Sequence, residues 1–256
     1  MITIEERKNP CEQFDREGQD GSGPWQAAAI AAVVVACAVG GTAMYVNASS
    51  PAAAAGPSAL TEGGFRVPVA GTPAPHTTSS AAPTVTVYAD YQCPICPQFE
   101  AADGPLLRSL ADTGRVNVDI HPVAILDSAA NHRYATRAAA AAVCVAERQP
   151  AMFFDANRAL FARQPDEVTG GGLSDRTILD VFASAGVDVS AVSRCVTDQK
   201  WAGFVTAQTA RDLNGPLPHS DVARLEGTPT ILINGHQYRG SILDPAQLAV
   251  AIEAAR

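Results

Sequence analysis

Cys93-Pro94-Ile95-Cys96 sets two thiols three residues apart, close enough at a helix start for the sulfurs to form a disulfide with each other. The run before it, Thr84-Val85-Thr86-Val87-Tyr88, is strand-like, and Pro97-Gln98-Phe99-Glu100 opens a helix-like stretch. A helix N-terminus sets partial positive charge against the first sulfur, which favours thiolate over thiol. The thiolate is the species that attacks disulfides. The pattern therefore predicts thiol–disulfide exchange, with Cys93 an exposed nucleophile and Cys96, one turn in, the less exposed resolving thiol. Pro94 fixes one φ in the loop and removes one N–H donor. The same spacing is half of a zinc site, but His76, His121, His132, His219 and His236 show no ligand spacing to complete one. No metal and no cofactor are assigned.

A second motif lies far along the chain. Glu226-Gly227-Thr228-Pro229-Thr230-Ile231-Leu232-Ile233 sets a proline at the mouth of a β-branched, apolar strand, and Asn234-Gly235 follows as a two-residue hairpin signal. Proline donates nothing to a sheet ladder, so it is tolerated at a strand start, and an X-Pro bond is the one place where a cis peptide is common.

The two motifs together, widely separated, resemble the thioredoxin fold. More narrowly they resemble the DsbA-like thiol:disulfide oxidoreductases of the bacterial envelope, in particular the membrane-anchored form of mycobacteria and their relatives. The resemblance covers residues 83–256 and implies an α/β, thioredoxin-like fold with an inserted helical domain at 128–215. It also implies that a cis Thr228-Pro229 faces the sulfurs, its backbone free to pair with an extended substrate and the Thr228 hydroxyl donating to the thiolate. Ile95 stands where the best-known DsbA proteins have histidine, which implies a weaker oxidant, though still an oxidant. One departure concerns protons. Thioredoxins keep a buried acid six residues before the first cysteine, and that position is Val87 here. Asp90 and Glu100 are the nearest carboxylates, each of which also reads as an ordinary solvated loop or helix charge.

Outside that region the chain reads as three further segments. Ala27 to Val46 is a run of 20 residues without a charge, flanked by Trp25 and Tyr45, which is long enough to span a bilayer. Arg7, Lys8 and Arg16 precede it and only Arg66 appears in the following 60 residues, so the positive-inside bias places 1–24 in the cytoplasm and everything after 46 outside. A cleaved signal peptide, or lipidation at Cys37 in Val34-Val35-Ala36-Cys37, are the alternatives to an uncleaved anchor at 25–46. Residues 47–82 are rich in Ala, Pro, Ser, Gly and Thr and read as a flexible linker, except that Phe65-Arg66-Val67-Pro68-Val69 suits a short edge strand. The formal net charge of −8 is spread without a basic stripe, which argues against nucleic acid.

Cys11 falls in the tail and Cys37 in the apolar run, leaving Cys93, Cys96, Cys144 and Cys195 outside. An even count in an oxidising compartment suggests two disulfides, the second joining Cys144 to Cys195 by elimination. Free buried thiols or a second redox couple are the other readings, though the apolar neighbours Val143, Val145, Val192 and Val196 favour inert cysteines. Around them the spacing predicts helices over His132–Arg148 and Pro150–Ala162, another capped by Ser174 and stopped at Gly186, and two within Val189–Asp212.

The expected function is an envelope oxidase, monomeric, that passes disulfides to reduced exported proteins. A membrane quinone-linked partner of the DsbB or vitamin K epoxide reductase type would reoxidise it. A reductase or isomerase, and a redox-inert tethered module holding extended peptides, are the competing readings.

Overall fold

The computed structural model describes residues 56–61, 63–68, 81–167 and 169–256. Its strands are β1 (Leu60–Thr61), β2 (Gly64–Arg66), β3 (Thr84–Asp90), β4 (Asn117–Val123), β5 (Thr230–Ile233) and β6 (His236–Gln237). Its helices are α1 (Cys96–Asp112), α2 (Tyr134–Arg148), α3 (Phe153–Ala162), α4 (Asp175–Ser184), α5 (Val189–Thr197), α6 (Ala202–Asn214) and α7 (Pro245–Ala254).

The strands form one sheet in the order β1-β2-β4-β3-β5-β6. β3 and β4 run parallel, joined through α1, and β5 lies antiparallel on the other side of β3. Flanked on both edges and covered by helices, β3 buries Val85, Val87, Tyr88 and Ala89 to 6% exposure or less. Its C-terminal end delivers the Cys93 loop to the start of α1. β5 enters the sheet directly after Thr228-Pro229, so two segments 135 residues apart meet at one end of the sheet. Asn234 and Gly235 take φ of 50° and 83°, the left-handed pair that a two-residue hairpin requires between β5 and β6.

The inserted helices pack around α2. Its alanine-rich sequence is explained by burial on nearly every face: Tyr134 through Ala146 are buried except Arg137. Small side chains let α3, α5 and α6 approach it closely. Ser174 caps α4 by accepting the Thr177 N–H at 3.1 Å. Cys144 on α2 is bridged to Cys195 on α5, 51 positions apart in sequence. In the chain-entropy description a loop of that length contributes about 4 kcal/mol. Replacing both cysteines is therefore expected to lower the unfolding midpoint by several degrees while the folded variant keeps near-normal disulfide exchange, checked by thermal unfolding and by turnover well below the midpoint.

Part of the stretch read as linker is built into the sheet. β1 and β2 form a hairpin whose second strand pairs with β4. Phe65 is fully buried, with its ring 4.2 Å from that of Phe153, and the Arg66 guanidinium pairs with the Asp119 carboxylate. The edge strand read at 65–69 is therefore present but starts earlier, at Gly64, and a preceding strand completes it. The tail at 1–24 and the anchor at 25–46 lie outside the described residues. Among the described residues no helix is long and apolar enough to cross a membrane.

Candidate active site

Cys93 follows β3 in a turn whose backbone is tied down locally. Its N–H donates to the Asp90 carbonyl at 3.0 Å, and the Cys96 N–H donates to the Cys93 carbonyl at 3.3 Å. The fold then adds a bond no local pattern implies: Gln164 Nε2, just past α3, donates to the Cys93 carbonyl at 3.0 Å. Gln92 reciprocates, its Nε2 donating to the Pro165 carbonyl at 3.2 Å. Helix α1 begins at Cys96 with Ile95 as its N-cap and Pro97 in the first turn, where the missing N–H costs nothing. Ile95 offers no side-chain acceptor, so the N–H groups of the first turn stay available to the sulfur.

Both cysteines are free thiols, 5% and 1% exposed for Cys93 and Cys96. Cys93 is thus less open than its place at a helix start suggests, because the Thr228-Pro229 segment covers it. The rim is formed instead by Pro94 and by Ile95, which is 41% exposed. The Thr228-Pro229 peptide is cis. As a thiol, Cys93 Sγ donates to the Thr228 carbonyl at 3.0 Å. As a thiolate it becomes an acceptor, and its pKa is lowered to about 5. The hydrogen bond from the Cys96 thiol is the largest cause; burial opposes it, and bonds from the Thr228 side chain and the Ile95 and Cys96 N–H groups add to it. Cys96 is driven far the other way, first by burial and then by its bond to Cys93 and the negative charge that Cys93 acquires. Two thiols of one loop are thus split into an ionised outer one and a protonated inner one.

The carboxylates are placed differently from the solvated positions that their sequence context suggests. Asp90 is fully buried. Its Oδ1 accepts the Gln92 N–H at 2.7 Å, and its Oδ2 accepts the N–H groups of Ile125 at 2.6 Å and Leu126 at 2.9 Å. It ties the Cys93 loop to the chain after β4. Burial raises its pKa to about 6 against those three donors, with the Cys93 charge adding to the rise. Glu100 is also buried, one turn beyond Cys96 on α1. Asn157 Nδ2 donates to Glu100 Oε2 at 3.2 Å, and Asn157 Oδ1 accepts from the Tyr91 hydroxyl at 2.7 Å. Gln92, Gln164, Tyr91 and Asn157 carry no signal in the sequence, since none belongs to a motif.

The residues brought together are therefore Cys93, Pro94, Ile95, Cys96, Thr228 and Pro229; the bridged Cys144 and Cys195 sit apart, between α2 and α5. Residues 75–254 match the family model described as Thioredoxin. The chain belongs to the thioredoxin family. The structure of disulfide bond oxidoreductase DsbG from Mycobacterium tuberculosis in its reduced form is 32% identical, covers 77% of this chain and 89% of that one, and superposes with a TM-score of 0.64. Reduced DsbA from the same organism is also 32% identical, covering 75% and 92%, with a TM-score of 0.63. Within the family this chain is a DsbA-like protein disulfide oxidoreductase. A curated relative, the Na(+)/H(+) antiporter NhaA 3 of Salinispora tropica, is 28% identical over 162 residues, 61% of this chain. The chain spans only 21% of the length of that protein.

Proposed function

We propose that the chain works in the oxidising direction, passing the Cys93–Cys96 disulfide to reduced exported proteins outside the cytoplasm. The observation that carries this reading is the split between the two thiols. A Cys93 held ionised is a good leaving thiolate and makes the reduced pair the easier state to reach, so the disulfide is the reactive one. A substrate thiolate attacks Cys93 Sγ, Cys96 leaves, and a mixed disulfide forms. A second substrate thiolate then attacks the substrate sulfur and releases Cys93 as thiolate. Two electrons pass from the substrate to the pair, and the substrate departs with a disulfide.

Substrate capture is supported by the surroundings of the sulfur. Ile95 gives an apolar contact on the rim, and the Thr228 N–H makes no hydrogen bond among the described residues, leaving it for the carbonyl of an extended peptide. In this reading residues 25–46 anchor the protein, 1–24 face the cytoplasm, and a membrane quinone-linked oxidase of the DsbB or vitamin K epoxide reductase type restores the disulfide. The head works as a monomer at the end of a tether. Equilibration of the full chain against glutathione tests the direction. The expected reduction potential lies above the roughly −270 mV of thioredoxin and short of the roughly −120 mV of DsbA, since Ile95 adds no charge to the loop. A potential at or below the thioredoxin value would make the chain a reductant.

A further inference from the structure

The peptide between Cys93 and Pro94 is the part of the loop with the fewest means of holding itself in place. Pro94 has no N–H, so the only hydrogen-bonding atom of that peptide is the Cys93 carbonyl oxygen. What donates to this oxygen sets how the peptide plane is turned, and with it the start of α1 beside the sulfur. It has two donors. The Cys96 N–H is local, and its bond is long at 3.3 Å. Gln164 Nε2 reaches the same oxygen at 3.0 Å from two residues past the end of α3, 71 positions along the chain.

The Cys96 N–H is also one of the groups that hold the Cys93 thiolate. It is thus shared between an oxygen and a sulfur that compete for it. A carbonyl with a second, shorter donor makes a weaker claim on the first. Gln164 is itself held in place. Its main-chain N–H donates to the Phe161 carbonyl at 3.2 Å, and Pro165 fixes φ directly after it. Gln92, fully buried, donates back to the Pro165 carbonyl at 3.2 Å. Both acceptors are carbonyls, so each glutamine must present its NH₂, and each Oε1 is buried without a partner among the described residues. An apolar contact would join the two segments without that penalty, so joining them does not by itself account for two amides here.

We propose that Gln164 is a positioning residue for the nucleophile: by donating to the Cys93 carbonyl, it frees the Cys96 N–H for Cys93 Sγ in the thiolate state. The inference rests on Cys93 being the reacting sulfur. When the pair is reduced, the thiolate becomes the stronger acceptor, and the N–H turns to it while Gln164 keeps the carbonyl satisfied. The helical insert thereby acts on the redox pair through the main chain. The titratable groups that act on Cys93 are Cys96 on α1 and Asp90 at the end of β3. α3 and the segment before β5 bring the uncharged Gln164 and Thr228.

Gln164→Met keeps the length of the side chain and removes the donor. In the reduced full chain its thiolate absorbance should titrate near about 6, against about 5 for the wild type. Equilibration with glutathione should shift about tenfold towards the disulfide, a potential lower by roughly 30 mV. Gln92→Met breaks the other bond between the two segments but leaves the Cys93 carbonyl its donor, so it should lose stability and keep the wild-type midpoint. A folded Gln164→Met that titrates with the wild type overturns the proposal. So does an equal rise in Gln92→Met, which would make the join and not the donor the cause. NMR of the unmutated protein requires no variant to fold: the Cys96 N–H resonance should move through the Cys93 midpoint, and the Gln164 side-chain protons should exchange slowly on both sides of it. Gln164 protons exchanging as fast as those of a solvated amide overturn the proposal equally. A wrong oxidising direction would show in the wild-type potential, whereas these measurements read the difference between variant and wild type.

Discussion

Replacing Cys93 with serine is expected to reduce oxidation of a reduced test protein to the uncatalysed background. Both bonds broken in the exchange are bonds of Cys93 Sγ, and a hydroxyl is neither ionised near neutral pH nor able to form the mixed disulfide. Cys96→Ser should behave differently. The nucleophile survives, held by Thr228 and the N–H groups of Ile95 and Cys96, but the thiol that would expel the substrate is gone. Offered a substrate that already carries a disulfide, Cys93 attacks it and releases one substrate thiolate, so covalent adducts should accumulate, visible as bands that disappear on reduction and as mass increases matching single substrates. The geometry ranks the two because Cys93, although covered, is the less buried and lies two residues from exposed Ile95, while Cys96 is sealed deeper. Retained turnover in Cys93→Ser would remove the assignment of the nucleophile and favour a redox-inert binding module.

The reduced protein should show thiolate absorbance titrating with a midpoint near 5, far below the roughly 8.5 of a free cysteine. This depression links to stability with a definite sign. A group whose pKa is lowered on folding stabilises the native state above its unfolded value and loses that contribution as pH falls through the folded value. The reduced form therefore gains stability as pH rises from about 5 towards the unfolded value near 9. The oxidised form has no thiolate and gains nothing there. At neutral pH the full linkage is roughly 2–3 kcal/mol, and screening by solvent that reaches the rim cuts this to about 1–2 kcal/mol in favour of the reduced form. Asp90 and Glu100, raised to about 6 and about 8, act with the opposite sign, but both forms contain them, so they largely cancel in the difference. Denaturant unfolding of the two forms at about pH 7 and about pH 4 checks this, the gap closing at the lower pH. An oxidised form more stable than the reduced one at neutral pH would contradict both the thiolate assignment and the oxidising direction.

The Cys93 loop and the Thr228-Pro229 segment are readable in advance because each motif is local. A strand, a turn and a helix start are written in consecutive residues, and so is a proline before a β-branched run. The Cys144–Cys195 pairing followed from counting, and the helix limits around it from caps such as Ser174, whose side chain acts on a main-chain N–H three residues on. Residues whose role depends on a partner close in sequence are the ones the chain declares by itself.

The burial of charge belongs to the other class. Asp90 and Glu100 have the local context of ordinary surface acids, and nothing within a few residues distinguishes them. Asp90 is internal because the chain after β4 folds over it and supplies two N–H donors from 35 and 36 residues away. Glu100 is internal because α3 covers that face of α1 and brings Asn157 from 57 residues away. Phe65 lies between the two classes: the run it opens suits a short edge strand in sequence, but the strand that precedes it and the pocket at Phe153 come from the fold. The sequence by itself determined which atoms are proposed to react and in which order, since the candidate nucleophile, resolving thiol and proline are set by types and short spacings. Tertiary structure alone decided how deeply the pair is covered, which acid stays protonated beside it and where the folded head begins, because desolvation is a property of what packs against a residue and not of the residues beside it in the chain.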